Sequence, residues 1–309
     1  MSKQTANTVL MVRPVAFGYN EETALTNAFQ QNPKVEQSQA IQDAALLEFE
    51  RMQVQLNEVG IQTVVIEDTK VPSTPDSIFP NNWISFHPDG TVVLYPMMAA
   101  NRRQERRKDI VELLEHQKNF KVNRIIDLTH YEKQDKFLEG TGSLIFDYEA
   151  NQAYANLSSR THREIIFDLA EKLHFTPIVF HSLDRNGKDI YHTNVVMCLG
   201  DKFAIICLES IPESDREQVS IALQATGKEI IDISYNQLYN FAGNMLQLKN
   251  LEGQKYLVIS KAAYDSLHDE QLERLMKFNQ IIKVDIQTIE KYGGGSVRCM
   301  LAAVHLPRK

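Results

Sequence analysis

The first indication of catalytic chemistry is a cysteine close behind a run of glycines. Cys299 lies four residues after three consecutive glycines at 293–295. Glycines let backbone N–H groups approach a ligand closely, and a cysteine beside them can act as a nucleophile when a neighbouring group lowers its pKa. His192 could serve as the general acid and base, and Glu139, flanked by glycine, could face a polar or cationic group. Each also has a structural explanation: a strand cysteine, a surface histidine and a loop glutamate.

Several polar residues could bind a substrate. Asp76 and Asn82 lie in the segment 75–83, which also holds the single tryptophan of the chain. A capped turn would explain that segment equally well. Arg160 stands at a predicted helix start, where a guanidinium can hold a carboxylate through two hydrogen bonds. Arg102 and Arg103, in the basic run 102–108, offer the same chemistry or form a solvated helix face.

The other two cysteines favour a structural role. Cys198 and Cys207 lie inside apolar strand patterns. Three cysteines, widely spaced, fit neither a disulfide framework nor a zinc site. A reducing, cytoplasmic setting is the resulting expectation.

Composition excludes several classes of protein. The chain has 309 residues, 43% of them hydrophobic, and a net charge of -7. These values are ordinary for a globular protein and argue against nucleic acid or anionic membrane as a partner. No run of 18 apolar residues predicts a membrane span, and the first residues lack the apolar core of a signal peptide. No linker divides the chain, so we expect one domain over residues 1–309, which is compatible with a homo-oligomer.

The elements that must position these residues repeat along the chain. Apolar periodicity predicts helices over 38–59, 102–117, 160–173, 213–225 and 261–278. Hairpins with turn residues lie between them, and a last apolar strand, SVRCMLAAVHL, has no partner after it. The N-terminal strand VLMVRP has no hairpin before it, so the two terminal strands could pair.

The spacing of the repeats predicts a ring. Starting points at Asn82, Gly142, Thr193, Gly243 and Val297 recur 60, 51, 50 and 54 residues apart. Each unit is too small to bury its own apolar face, so neighbouring units must cover it. A closed five-unit ring would bring equivalent points to one central axis, whereas an α/β sandwich with chance recurrence is the alternative.

These motifs resemble the guanidine-modifying enzyme superfamily, the pentein α/β-propellers, over nearly the whole chain. The resemblance implies a five-bladed, pseudo-symmetric α/β-propeller of ββαβ-type repeats around a central active site. It implies Cys299 as nucleophile, His192 as catalytic histidine and Glu139 as active-site glutamate. Arg160, in the segment Ser158–Thr161, would hold the substrate α-carboxylate. Either Arg102 or Arg103 would be a second arginine of the pocket, with Asp76 among the substrate-binding residues.

Two positions depart from the deiminase pattern. Asn82 and Asn194 stand where deiminases of this superfamily carry aspartates that grip a guanidinium cation. The resemblance therefore points to the citrulline-utilisation hydrolases, which resemble amidinotransferases but hydrolyse citrulline. It implies a small amino-acid substrate, ornithine, carbon dioxide and ammonia as products, and no metal or organic cofactor. An arginine deiminase or dimethylarginine hydrolase, an amidinotransferase and a non-catalytic binding propeller remain the alternatives.

Overall fold

The computed structural model describes residues 3–33 and 38–309. In these residues the framework is a ring of five small three-stranded sheets. The strands are β1 (Thr8–Arg13), β2 (Gln62–Glu67), β3 (Ile84–Phe86), β4 (Thr91–Leu94), β5 (Arg124–Asp127), β6 (Ile145–Asp147), β7 (Gln152–Asn156), β8 (Thr176–Phe180), β9 (Met197–Leu199), β10 (Phe203–Ile206), β11 (Glu229–Asp232), β12 (Leu246–Lys249), β13 (Lys255–Ser260), β14 (Gln280–Val284) and β15 (Ala302–Ala303).

Helices connect and cover these sheets. The α-helices are α1 (Glu21–Ala24), α2 (Ser38–Glu58), α3 (Asp109–His116), α4 (Gly140–Ser143), α5 (Arg163–Leu173), α6 (Thr193–Val196), α7 (Glu213–Ala225), α8 (Tyr235–Tyr239), α9 (Lys261–Ser266), α10 (Asp269–Met276) and α11 (Gln287–Gly293). Short 3₁₀ helices occupy Pro80–Asn82, Asn101–Glu105, Thr129–Gln134 and Leu208–Ser210. Within the described ranges, no helix is both long and apolar enough to cross a bilayer.

Every sheet follows the same plan. In β3-β4-β5 the first two strands are an antiparallel hairpin, and the third joins parallel to the middle strand after a helical crossover. The sheets β6-β7-β8, β9-β10-β11 and β12-β13-β14 repeat this arrangement. The fifth sheet joins the chain ends: β1 pairs antiparallel with β15 and parallel with β2. The predicted five-bladed α/β-propeller, closed by its terminal strands, is confirmed.

The longest helix follows its apolar spacing. One face of α2 buries residues three and four apart, namely Ile41, Ala45, Phe49, Met52 and Leu56. Gly60 stops the helix with φ of 82°, a conformation that costs glycine little. The predicted bounds of 38–59 thus differ from the observed ones by a single residue.

Three predicted elements differ from the structure. The helix over 102–117 is split into the 3₁₀ helix Asn101–Glu105 and α3. The helix over 261–278 is split into α9 and α10, because Ser260 and His268 cap separate helix starts. The helix expected at 160–173 begins only at Arg163, where the His162 side chain accepts the N–H of Glu164.

The predicted last strand is also much shorter than expected. Only Ala302–Ala303 is extended, because the residues before it fold into turns. The Cys299 N–H donates to the Ser296 carbonyl at 2.9 Å, and the Arg298 N–H donates to Asn244 Oδ1 at 3.0 Å. Cys299 therefore lies in a turn before the strand and is not a residue of the sheet.

Candidate active site

The candidate catalytic residues lie just before the innermost strand of each blade. Asn82 ends the 3₁₀ helix before β3, Glu139 precedes α4 and β6, and His192 is the N-cap of α6 before β9. Asn244 stands two residues before β12, and Cys299 three before β15. Because the ring places equivalent positions around one axis, residues separated by 50 or more positions converge on one site.

Glu139 and His192 form a buried hydrogen-bonded pair. Glu139 Oε2 lies 2.8 Å from His192 Nε2, and both side chains are at most 2% exposed. Burial opposes ionisation of Glu139, but the Arg160 charge and the His192 hydrogen bond outweigh it and lower its pKa to about 2. Burial lowers the pKa of His192 to about 4, against the opposing effect of Glu139.

These values define the proton positions at neutral pH. The ionised carboxylate can only accept, so His192 Nε2 carries the proton and donates it. The other ring nitrogen, Nδ1, is therefore an unprotonated base. It lies beside Gly142, where an added Cβ would come within 2.8 Å of Nδ1 and 2.5 Å of Asn82 Nδ2. Because glycine has no Cβ, position 142 leaves room for the side chains of His192 and Asn82.

Two asparagines surround the sulfur of Cys299. Asn194 Nδ2 and Asn244 Nδ2 each lie 3.4 Å from Sγ. The orientation of the Asn244 amide is set by its partners, because Oδ1 accepts the Arg298 N–H and Nδ2 donates to the Asn194 carbonyl at 2.8 Å. Burial raises the pKa of the Cys299 thiol, while these amide donors favour the thiolate. Without a substrate, Cys299 is a thiol, and the two amide donors beside it can stabilise the thiolate when it forms.

Arg160 lies at the other end of the site. It is 3% exposed; Nη1 lies 3.4 Å from Glu139 Oε2 and Nη2 donates to the Thr23 carbonyl at 2.8 Å. Its guanidinium lies over the Tyr191 ring, 5.0 Å from the centroid. The Tyr191 hydroxyl donates to the Gly294 carbonyl at 2.7 Å, which ties the glycine loop to this end.

The structure distinguishes the two neighbouring arginines. Arg102 is 2% exposed, lines the cavity, and donates from Nη1 to Asn82 Oδ1 at 2.8 Å. It also makes a two-point ion pair with Glu105, at 2.9 Å for each contact. Arg103 lies outside the cavity, and Nε donates to the Met97 carbonyl. Of the two alternatives left open by the sequence, Arg102 therefore lies in the cavity and Arg103 does not, because consecutive positions of this 3₁₀ helix point in different directions.

Asp76 lines the same cavity, next to the N-terminal segment. Its Oδ2 accepts from Asn20 Nδ2 at 2.8 Å and from Thr23 Oγ1 at 2.9 Å, whereas Oδ1 is buried without a hydrogen-bond partner. Burial raises the pKa of Asp76, and the nearby Arg102 charge opposes that effect.

A cavity connects these groups. Its walls combine the two arginines, the histidine, the thiol and the glycine loop with the N-terminal segment; the lining residues are Thr23, Asn27, Asp76, Phe79, Asn82, Arg102, Arg160, Tyr191, His192, Gly293, Gly294, Gly295 and Cys299. Asn194 is not among these lining residues, although its Nδ2 lies 3.4 Å from the Cys299 sulfur. Among the described residues, no cluster of histidine, cysteine and carboxylate side chains is arranged to hold a metal ion.

Sequence reasoning missed two parts of the site. Asn244 was detectable, since it directly follows Gly243, the starting point of the fourth repeat. The segment around α1 was not, because its short polar stretch has no periodicity. Asn27 Nδ2 donates to the Gly294 carbonyl at 3.0 Å, and Gln30 Nε2 donates to the Gly293 carbonyl at 3.1 Å. This segment covers the cavity.

Comparison with known proteins shows the same fold. Over 98% of its length the chain superposes on an arginine dihydrolase, ArgZ, of the ornithine-ammonia cycle in Cyanobacteria, with a TM-score of 0.75 and 16% identity. AgrE, solved in complex with L-arginine, gives 0.75 and 18% over 98% of the chain. The chain spans about two fifths of each, 41% and 40%.

A third structure is matched over nearly its whole length. It is a dimethylarginine dimethylaminohydrolase adduct with S-methyl-L-thiocitrulline, with a TM-score of 0.64 and 15% identity over 96% of this chain and 98% of that one. No curated protein matches the chain in sequence. The profile of the family described as N,N dimethylarginine dimethylhydrolase, eukaryotic, matches residues 13–306. The chain therefore belongs to this family of guanidine-modifying pentein hydrolases.

Proposed function

We propose that this protein is a cysteine hydrolase of citrulline, which it converts to ornithine, carbon dioxide and ammonia. The observation that carries the proposal is the neutral amide at Asn82. Arg102 can only donate, so the Asn82 atom facing it is Oδ1, and Nδ2 is turned the other way. Nδ2 is buried without a partner in the ligand-free site. This donor matches the carbonyl oxygen of a ureido group.

The charges of the cavity support a substrate whose reacting end is neutral. Glu139 already accepts from His192 and Arg160 through Oε2 and from the Met98 N–H through Oε1 at 3.1 Å. Asp76 Oδ1 is thus the carboxylate oxygen left for a cation. The α-ammonium group that every amino acid carries can use it. A guanidinium would be a second cation competing for Asp76, the one carboxylate among the described lining residues of the cavity.

The remaining groups fit the two ends of citrulline. Arg160, with Arg102, binds the α-carboxylate. Cys299 lies at the ureido carbon, between the amides of Asn194 and Asn244. The thiol proton passes to His192 Nδ1 as the sulfur attacks, and Glu139 stabilises the imidazolium that forms.

The bonds balance in two steps. Sulfur attack forms a C–S bond, and the tetrahedral intermediate collapses as the bond from the ureido carbon to the side-chain nitrogen breaks. Ornithine leaves as the amine, taking the proton from His192. His192 then activates water, which attacks the thiocarbamoyl carbon and releases Cys299. The carbamate product breaks down to ammonia and carbon dioxide. The net reaction consumes one water per citrulline, and this mechanism uses no metal or organic cofactor.

A second candidate is hydrolysis of N,N-dimethylarginine to citrulline and dimethylamine, because the family profile that matches residues 13–306 carries that description. Product analysis separates the candidates. The purified protein is incubated with citrulline, arginine or dimethylarginine, and ornithine, citrulline, ammonia and dimethylamine are quantified. The proposal predicts ornithine from citrulline and none with Cys299→Ala. Dimethylamine from dimethylarginine, with citrulline left intact, would establish the second candidate instead.

A further inference from the structure

A second cavity runs along the propeller axis on the other side of Cys299. The innermost strand of every blade contributes to its wall: β3, β6, β9, β12 and β15. The candidate active site lies before the first residues of these strands, whereas this cavity lies alongside them. The two cavities share no lining residue.

Arg298 is the cation of this second cavity. It is 8% exposed. Its side chain points away from that of its neighbour, because Cys299 lines the first cavity and Arg298 lines the second. Its one side-chain hydrogen bond runs from Nη1 to the Leu301 carbonyl at 2.9 Å. No carboxylate of the described residues pairs with it. Arg102 and Arg160, buried to the same degree, each contact a glutamate.

The surroundings of Arg298 leave its charge uncompensated. The described residues of the cavity wall include no aspartate or glutamate. Asp147, at the end of β6, pairs with Lys228 at 3.2 Å, and Asp89, in the turn after β3, accepts from Thr91 Oγ1. His305 also lines the cavity, and burial lowers its pKa to about 3, so it is neutral at pH 7.

We propose that this axial cavity binds a small organic monocarboxylate through the guanidinium of Arg298. A buried guanidinium without a counter-charge is costly, and a carboxylate matches its Nε and Nη2 donors in a two-point contact. One negative charge neutralises the one positive charge present. A phosphate dianion would need a second cation, which the wall lacks.

The rest of the wall suits a short aliphatic body on that carboxylate. Most of its side chains are apolar, and they come from different blades: Ile84, Phe86, Ile145, Phe146, Cys198, Leu199, Met245, Leu246, Ala302 and Ala303. The wall also carries polar side chains, namely Gln4, Ser85, Thr141, Tyr148, Gln247 and His305. An aliphatic chain of a few carbons can bury its surface against the apolar side chains. Butyrate is therefore a suitable probe.

The test is a calorimetric titration of the intact protein with butyrate and, separately, with inorganic phosphate. We expect one saturable butyrate site and at least tenfold weaker binding of phosphate. Arg298→Gln should weaken butyrate binding at least tenfold. The matched control Arg160→Gln removes a guanidinium that is equally buried but lies in the other cavity, and should change the dissociation constant by less than twofold.

A second variant protects the test against a folding defect in Arg298→Gln. Ala303→Phe fills the cavity from β15 while Arg298 stays in place, and it should also abolish the butyrate site. Absence of saturable binding to the parent protein would overturn the proposal. So would loss of binding in Arg160→Gln, which would place butyrate in the active site, or binding of phosphate as tight as that of butyrate.

Discussion

Replacing Asn82 with aspartate tests the neutral-pocket argument at a single atom. In the parent protein, Oδ1 accepts from Arg102 and Nδ2 is the donor left for substrate. In Asn82→Asp, the oxygen facing Arg102 keeps its partner. The atom facing the substrate becomes a carboxylate oxygen, which can only accept. The ureido oxygen of citrulline would then meet another acceptor, while a guanidinium would meet a counter-charge.

The size of the effect follows from the cost of an unpaired buried group. Leaving a buried acceptor without its donor costs about 1–3 kcal/mol. A tenfold change in kcat/KM corresponds to about 1.4 kcal/mol, so kcat/KM for citrulline should fall about 5- to 150-fold. The kcat/KM for arginine should stay the same or rise, because the substituted residue supplies the missing negative charge.

The assay measures kcat/KM for both substrates with both proteins. The ratio of the two values is its own control, since a general folding defect lowers both rates together. Thermal unfolding should show similar stability, because the oxygen at position 82 keeps its hydrogen bond with Arg102. A variant of unchanged thermal stability that loses activity on both substrates in equal proportion, or one that hydrolyses citrulline as well as the parent does, would refute the reasoning.

The remaining predictions concern the nucleophile, the carboxylate site and acid stability. Cys299→Ala should abolish ornithine formation, whereas Cys198→Ala should retain it, because burial raises the pKa of Cys198 to about 12 and keeps it a thiol; turnover by the Cys299 variant would contradict the covalent mechanism. Arg160→Ala should lower kcat/KM at least about 30-fold, the effect of breaking a buried charge pair worth about 2–5 kcal/mol. If citrulline methyl ester reacted as fast as citrulline, that assignment would be wrong. Three histidines have folded-state pKa values of about 4, 4 and 3, below the usual 6.5: His87 and His192, which are buried, and His305, which is partly buried. The unfolded chain takes up these protons at a higher pH than the folded chain does. The contribution of these histidines to the free energy of unfolding should therefore be complete above pH 6.5. It should fall toward pH 4 by up to about 1.4 kcal/mol per pH unit for each histidine, in urea titrations. Burial raises the pKa values of Glu105 and Glu290, which acts in the opposite direction, so the histidine contribution is the difference between the parent and His305→Gln. An identical pH dependence in the two proteins would contradict the lowered pKa of His305.

The sequence predicted the ring and its central residues because both depend on regular spacing. Hairpin, helix and strand recur every 50 to 60 residues, and a short unit must cover its apolar face with neighbours. Once the ring is assumed, Asn82, Glu139, His192 and Cys299 fall at equivalent points. Their convergence then follows from the symmetry of the fold.

Details that depend on single turns could not be predicted. Arg102 and Arg103 are adjacent, and only the 3₁₀ geometry directs one into the cavity and the other to the Met97 carbonyl. The turn at Cys299 resembles a strand in sequence, because its residues are apolar. The segment around α1 covers the site through polar contacts from residues far apart in sequence, such as Asn27 with Gly294, and these leave no local pattern.

The most direct test of the central claim is a competition between citrulline and arginine in one vessel. Equal concentrations are supplied to the parent protein, and the loss of each substrate is followed by chromatography, with Cys299→Ala as the blank. A site that matches the neutral ureido group predicts that citrulline is consumed first, with a kcat/KM about 10⁴-fold above that of arginine. Arginine consumed as fast as citrulline, or faster, would contradict the account and establish a guanidinium hydrolase.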